Sequence, residues 1–363
     1  MATLSHEALR RAIYRHGGCD EYYTEMINAA SLVNGGKFEK YYILNGPEPE
    51  KIVWQLTGDD AGKLAEAAAI VREKGGLGID INMGCSAPEI YKHGAGIAWM
   101  MKPAEETREM LRAVRAAVGN LRFSAKIRLG DEDFTENSFF SFVDMLLEEG
   151  ISRIVLHPRT RKEKYSRPAR WVYIQKLIDH VEKIGGHPAS QSEKIGESTG
   201  ETSSAQNPES AQHISIVGNG CVSDIKSFNA LCKAAPQMDG IMIGRAAVQK
   251  PWIFAELSSY EASNIKFIKF FNSNLSNFEK RVYPIDMYKE AELFTADLIE
   301  YQPEEFYETR SKRFFTFFLD NFMYAHYLRS KILNTSVREE QLSYLREYFE
   351  KMPEERFYNL GEN

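Results

Sequence analysis

Cysteine is scarce in this chain: only Cys19, Cys85, Cys221 and Cys232 occur in 363 residues. They are widely spaced and form no CxxC pair, which argues against a disulfide framework and against a cysteine zinc site. A reducing cytoplasm is the expected setting. Long apolar runs are missing too, none approaching the roughly 20 residues of a membrane span. The first residues lack the basic-then-apolar order of an export signal. The expectation is a soluble protein with no membrane and no obligate protein partner. Excess positive charge is also absent, since 45 Lys+Arg face 51 Asp+Glu for a formal net charge of −6. Any nucleic-acid partner then needs a local basic cluster. Internal repeats are lacking beyond an alternation of strands and helices.

Hydrophobic residues at 43% and aromatics at 12% supply a sizeable core, and the length fits a barrel of roughly 250 residues plus a smaller domain. Short β-rich runs alternate with amphipathic stretches up to residue 256, the pattern of parallel βα units. Seven strands are predicted: Glu21–Thr24, Ile52–Leu56, Gly78–Asn82, Phe123–Arg128, Arg153–His157, Ile214–Asn219 and Gly240–Gly244. Helical patterns cover Ser5–Arg15, Asp59–Lys74, Glu105–Val118, Ser138–Glu149, Trp171–Lys183 and Ser223–Ala234. No strand precedes Ser5, so the expected fold is an α/β (β/α)₈ TIM barrel with its first strand truncated, the chain beginning at that strand's tip. Gly185–Gln212, rich in Ser, Glu, Gly, Gln and Thr, reads as a flexible insertion. The catalytic barrel is expected over 1–256, a connection over 257–281 and a helical domain over 282–363.

In such a barrel the working residues sit at the C-terminal ends of strands. Here those ends carry Gln55, Asn82-Met83-Gly84-Cys85, Lys126-Ile127-Arg128, His157, Asn219-Gly220 and Gly244-Arg245. Singly each also reads as a strand cap or a snorkelling side chain; together they converge on one rim. Gly220 and Gly244 let backbone N–H groups approach a ligand, and Arg245 opens a helix, a combination suited to phosphate. Two tight turns with Arg245 in a surface ion pair are the bland alternative. Cys85 follows a glycine in a loop. A thiol ordinarily titrates near about 8.5 and is mostly protonated at neutral pH, which suits a proton donor. A space-filling cysteine is the alternative.

The stretch Asp80-Ile81-Asn82-Met83-Gly84-Cys85, with Ala87-Pro88 and Gly94-Ala95-Gly96 after it, resembles the signature of the tRNA-dihydrouridine synthases. The likeness continues in register through Thr24-Glu25-Met26, Gln55-Leu56-Thr57-Gly58, Lys126-Ile127-Arg128-Leu129-Gly130, His157-Pro158-Arg159-Thr160-Arg161, Asn219-Gly220 and Asp239-Gly240-Ile241-Met242-Ile243-Gly244-Arg245. It covers nearly the whole barrel, and only loosely the helical domain. The resemblance implies bound FMN, NADPH or NADH as electron donor, and reduction of the C5–C6 bond of uridines in tRNA. It also implies that Cys85 protonates C5 while hydride arrives at C6. Gln55, Lys126 and His157 are then expected beside the flavin ring, with Met1 and Ala2 completing that site. Asn219, Gly220, Cys221, Gly244 and Arg245 are expected at the phosphate, and Asn82 at the uracil edge. A uridine that must leave its stack needs a basic path for its backbone, for which Arg159, Arg161, Lys162, Lys164, Arg167 and Arg170 are candidates, with Arg310, Lys312 and Arg313 in the helical domain.

Two positions depart from the family pattern: Ser86 stands where proline is usual, and Cys221 where an acidic residue is common. Two rival readings remain at this level. One is a flavin barrel oxidoreductase acting on a small pyrimidine; the other is a non-catalytic RNA-binding barrel relic.

Overall fold

Strands β3 (Ile52–Thr57) and β4 (Gly78–Met83) are buried along their whole length, as expected of parallel strands covered on both faces. The structure, a computed structural model, describes residues 1–163, 167–185, 213–263 and 284–360. Before β3 lie two short pieces, β1 (Tyr22–Tyr23) and β2 (Ile27–Asn28), both paired parallel to β3. They act as one interrupted strand, with Thr24-Glu25-Met26 bulging between them. After β4 come β5 (Arg122–Ile127), β6 (Arg153–Leu156), β7 (Ser215–Asn219) and β8 (Gly240–Met242).

The sheet runs β1-β3-β4-β5-β6-β7-β8, all neighbours parallel. It curls as a barrel does, and no ladder joins β8 to β1 among the described residues. All seven expected strands are present within a residue or two. The last stops earlier than expected, at Met242, because Gly244 already serves as N-cap of helix Arg245–Gln249. At the C-terminal end of the open side lies the first turn of the chain, where the Leu4 and Ser5 N–H groups donate to the Met1 carbonyl. The Met1 sulfur packs 3.2 Å from where a Cβ on Gly244 would stand.

The helices follow from local signals. Asp60, Thr135 and Asp224 each accept a backbone N–H three residues on, satisfying donors that a helix start leaves open. These caps open Ala61–Arg72, Glu136–Glu148 and Ile225–Ala234. Alternation along the strands sorts the side chains. Ile52, Trp54, Leu56, Ile79, Ile81, Phe123, Ala125, Ile127, Ile154 and Leu156 join the apolar core shared with the helices. Their alternates point into the barrel, since successive side chains of a strand face opposite ways. At the lower end the Glu21 carboxylate receives Arg122 and Arg153, and Arg153 Nε also reaches Ser215 Oγ at 3.0 Å. This charged layer plugs the base.

The C-terminal part is helical, with Met287–Tyr301, Glu304–Phe318, His326–Leu333 and Arg338–Lys351. Asp286 caps the first by accepting from Tyr288 and Lys289 N–H. Phe294 stacks on Phe314 at 3.7 Å between centroids, and Phe314 on Phe318 at 4.9 Å. A two-stranded antiparallel pair, β9 (Ile285–Asp286) with β10 (Phe357–Tyr358), ties the ends of this bundle together. The boundary expected at 256 falls inside helix Ile253–Ser263. Residues 186–212 of the expected insertion and 264–281 of the expected connection lie outside the described residues.

Candidate active site

Register brings the polar strand ends into one layer. Gln55 pairs with Asp80, Asp80 with Ser124 and Asn82 with Lys126, so alternation points all five side chains into the barrel. Gln55 Nε2 donates to Asp80 Oδ2 at 2.8 Å, Ser124 Oγ donates to Asp80 Oδ1 at 2.8 Å, and Asn82 Nδ2 donates to Gln55 Oε1 at 2.9 Å. Asn82 Oδ1 in turn accepts the Cys85 N–H at 2.8 Å and the Gly84 N–H at 3.2 Å. A chain of bonds thus runs from the wholly buried Asp80 to the peptide that carries Cys85. Burial pushes the Asp80 carboxyl up to about 6 against the pull of Gln55, Ser124 and Lys126. Thr24 Oγ1 accepts the Gln55 N–H at 3.0 Å, tying the bulged first strand to the same layer.

The Cys85 loop is held from three further sides. Cys85 O accepts from Ile97 N at 3.0 Å. Arg128, itself buried, donates to the Gly84 carbonyl at 2.8 Å and the Thr160 carbonyl at 3.2 Å. Arg161 grips Asp131 at 2.8 and 2.9 Å and lies 4.5 Å over the Tyr91 ring, in the short helix Pro88–Tyr91 that follows Cys85. Gly96 explains the Gly-Ala-Gly run. Its φ is +61°, and a Cβ there would lie 2.6 Å from the Cys85 carbonyl. Gly96→Ala is therefore expected to cost about 1–2 kcal/mol for the left-handed backbone alone. By shifting the Cys85 loop it should also cost about 10²-fold in turnover. Denaturant unfolding and single-turnover rates measure the two, and a variant as stable and fast as the parent would show the contact to be slack.

On the other side of the mouth stand Lys126, His157 and the β7 loop. Lys126 Nζ makes no hydrogen bond or salt bridge among the described residues, and burial with the Arg128 charge brings its ammonium down to about 8. His157 is buried, and burial together with Lys126, Arg128, Arg159 and Arg245 lowers it to about 2, so its ring is neutral. Gly220 has φ +112°, and a Cβ there would stand 2.9 Å from His157 Cδ2. Only glycine lets the β7 loop lie this close to the ring. Trp171 Nε1 donates to the Gly220 carbonyl at 3.0 Å, and Asn219 Nδ2 donates to the Met242 carbonyl at 2.8 Å. Cys221, exposed, also takes a positive φ of 64°. Gly244 faces the Met1 side chain at the adjacent strand end, and Arg245 and Ala2 are exposed.

Two of the arginines expected on the nucleic-acid path lie inside the protein. Arg159 is 1% exposed and turned inward, donating to the Arg167 carbonyl at 2.7 Å and Cys221 Sγ at 2.9 Å, with Nη1 3.1 Å from His157 Nε2. A guanidinium so enclosed does not meet a nucleic-acid backbone crossing the surface. Arg310 is buried as well, its Nη1 2.6 Å from Glu25 Oε2 across the junction of barrel and helices. Arg161 lies at the mouth but is committed to Asp131; Lys162 is exposed and pairs with Glu132 at 2.8 Å, and Arg167 is exposed. Lys164 lies outside the described residues. Sequence reasoning gave no role to Asp80, Ser124 or Arg128. The signal available was period two: Asp80 stands two before Asn82, and Ser124 two before Lys126.

A family model described as dihydrouridine synthase (Dus) matches residues 1–185 and 206–315. The chain is 29% identical over 263 residues to a probable tRNA-dihydrouridine synthase of Aquifex aeolicus, covering 70% of each chain. It is 26% identical over 268 residues to a tRNA-dihydrouridine(16) synthase of Neisseria meningitidis, covering 72% of this chain and 70% of that one. With a tRNA-dihydrouridine(47) synthase [NAD(P)(+)] of Candida glabrata it shares 28% identity over 255 residues, which is 69% of this chain and 38% of the fungal protein.

Proposed function

The chain belongs to the dihydrouridine synthase family, and from that premise we propose that it reduces the C5–C6 bond of uridine in tRNA, using FMN reduced by NADPH or NADH. The observation that carries this reading is the single mouth at which Gln55, Asn82, Lys126, His157 and the Cys85 loop meet. The residues fit a flavin. Lys126 Nζ, without a hydrogen bond or salt bridge among the described residues, suits an anionic ring, Gln55 offers an amide edge, and the approach of Gly220 to His157 leaves backbone open at the β7 loop. Asn219, Gly220, Cys221, Gly244 and Arg245 would hold the phosphate, with Met1 and Ala2 beside it. The chemistry a bound flavin supplies is a hydride for C6 of the base.

Asn82 has both lone pairs of Oδ1 engaged by backbone N–H groups and one Nδ2 hydrogen on Gln55. Its remaining N–H donates to a carbonyl, which suits uracil. Cys85 gives its thiol proton to C5, and the thiolate left behind lies in the field of Lys126. Because the Lys126 charge is present below about pH 8 and lost above it, binding of the anionic reduced flavin is expected to weaken as pH rises through that value. Fluorimetric titration with reduced FMN from about pH 7 to about pH 9 measures it, and a flat profile would deny Lys126 that role.

Lys162 and Arg167 are exposed at the loop after β6 and supply the path for the tRNA backbone. Charge reversal at Lys162 and Arg167 is expected to weaken tRNA binding and to lower the slope of affinity against salt by about 1 for each phosphate contact removed. Arg161 is a poorer target, since reversing it also breaks the Asp131 pair at the Cys85 loop. Equal affinity of reversed and parent proteins at low salt would count against this path. The reaction itself is tested by mapping dihydrouridine in tRNA from cells with and without the protein. It is tested further by comparing turnover on unmodified tRNA with turnover on free uridine. Turnover on uridine alone would favour a small-pyrimidine reductase, and a protein that takes up no FMN would defeat the proposal.

A further inference from the structure

Arg159 is nearly the most enclosed cation of the barrel, yet the rim it points to is that of a neutral histidine. Its Nε is fixed on the Arg167 carbonyl at 2.7 Å and its Nη2 on Cys221 Sγ at 2.9 Å, leaving Nη1 3.1 Å from His157 Nε2. A guanidinium has five N–H donors and no acceptor. The histidine nitrogen facing it therefore carries a lone pair and no proton. A neutral imidazole with an accepting Nε2 must carry its proton on Nδ1.

We propose that Arg159 is a positioning residue that fixes His157 as the neutral, Nδ1-protonated tautomer. The geometry around the ring agrees. The Cδ2–Nε2 edge faces the β7 loop, where Gly220 leaves no room for a Cβ. The Nδ1 edge is the opposite one. Four cations act on the ring, namely Lys126, Arg128, Arg159 and Arg245, and of these Arg159 is the one shown in contact with Nε2. The flavin as ligand rests on the function proposed above; the tautomer does not.

Nitrogen-15 spectra of histidine-labelled protein, as purified with its flavin, test this directly, the His157 signals being assigned from their loss in His157→Gln. The expected parent spectrum has Nδ1 protonated and Nε2 unprotonated, without titration from about pH 6 to about pH 8. In Arg159→Met the Nε2 signal is expected to move to the protonated position or to titrate within that range, and Arg159→Lys, which keeps a donor, to restore much of the parent pattern. FMN affinity in Arg159→Met should fall about tenfold or more, as for loss of a charged hydrogen bond. A protonated Nε2 in the parent, or an unchanged tautomer in Arg159→Met, would overturn the proposal. Should Arg159→Met fail to fold, the parent and Arg159→Lys spectra still decide. The expected tautomer in a protein that takes up no FMN would support the role of Arg159 and overturn the flavin reading instead.

Discussion

Cys85→Ala is expected to keep bound flavin and tRNA affinity and to lose about 10²–10⁴-fold in the rate of dihydrouridine formation, the range for removing a general acid. The structure explains why binding should survive. The loop is positioned through the Cys85 backbone, by Asn82 on its N–H and Ile97 on its carbonyl, and Arg128 holds the preceding carbonyl. None of these uses the sulfur. Alanine at this position leaves the path of the chain intact and removes only the proton. Cys85→Ser should be nearly as slow, because an alcohol is a far weaker acid than a thiol. Single-turnover measurement with prereduced enzyme isolates the step from flavin reduction, and product formed at the parent rate in that assay would refute the proton-donor role.

Arg310→Met is expected to destabilise the protein by about 3–5 kcal/mol, the usual cost of stripping one partner from a buried ion pair. Among the described residues Glu25 would keep only the Thr3 N–H at 2.5 Å, at a site where both members of the pair are almost fully enclosed. The guanidinium also lies 4.7 Å over the Phe306 ring and 5.5 Å over Tyr42, so packing is lost along with charge. The double variant Glu25→Gln/Arg310→Met should recover part of the loss, because no bare carboxylate remains. Denaturant unfolding of the three proteins measures this. A single variant within about 0.5 kcal/mol of the parent, the range of ordinary surface substitutions, would show that the pair does not tie helical bundle to barrel. Glu25 adjoins Thr24, whose hydroxyl receives the Gln55 N–H, so a loosened junction should be felt at the mouth too.

Much of the candidate site was legible in the sequence because parallel βα units obey two local rules. Alternation sends every second residue inward, and the strands end together at one rim. Gln55, Asn82, Lys126 and His157 could be assigned to that rim from spacing alone. Asp80 and Ser124 were harder to see. A buried carboxylate and a buried hydroxyl look in a sequence like any polar residue in a strand, and their function exists only through partners on neighbouring strands.

The arginines mark the limit most clearly. Arg159, Arg161 and Arg310 each read as cations available to a nucleic acid. The fold turns Arg159 onto His157 and Cys221, stacks Arg161 on Tyr91, and buries Arg310 against Glu25, 285 residues away in the chain. Sequence by itself determined the order of strands and helices, the face each residue takes and the motif around Cys85, because these follow from short-range periodicity and turn chemistry. Only the tertiary structure decided which charges meet water and which meet each other. Desolvation and pairing depend on neighbours brought together by folding, and no local pattern encodes them.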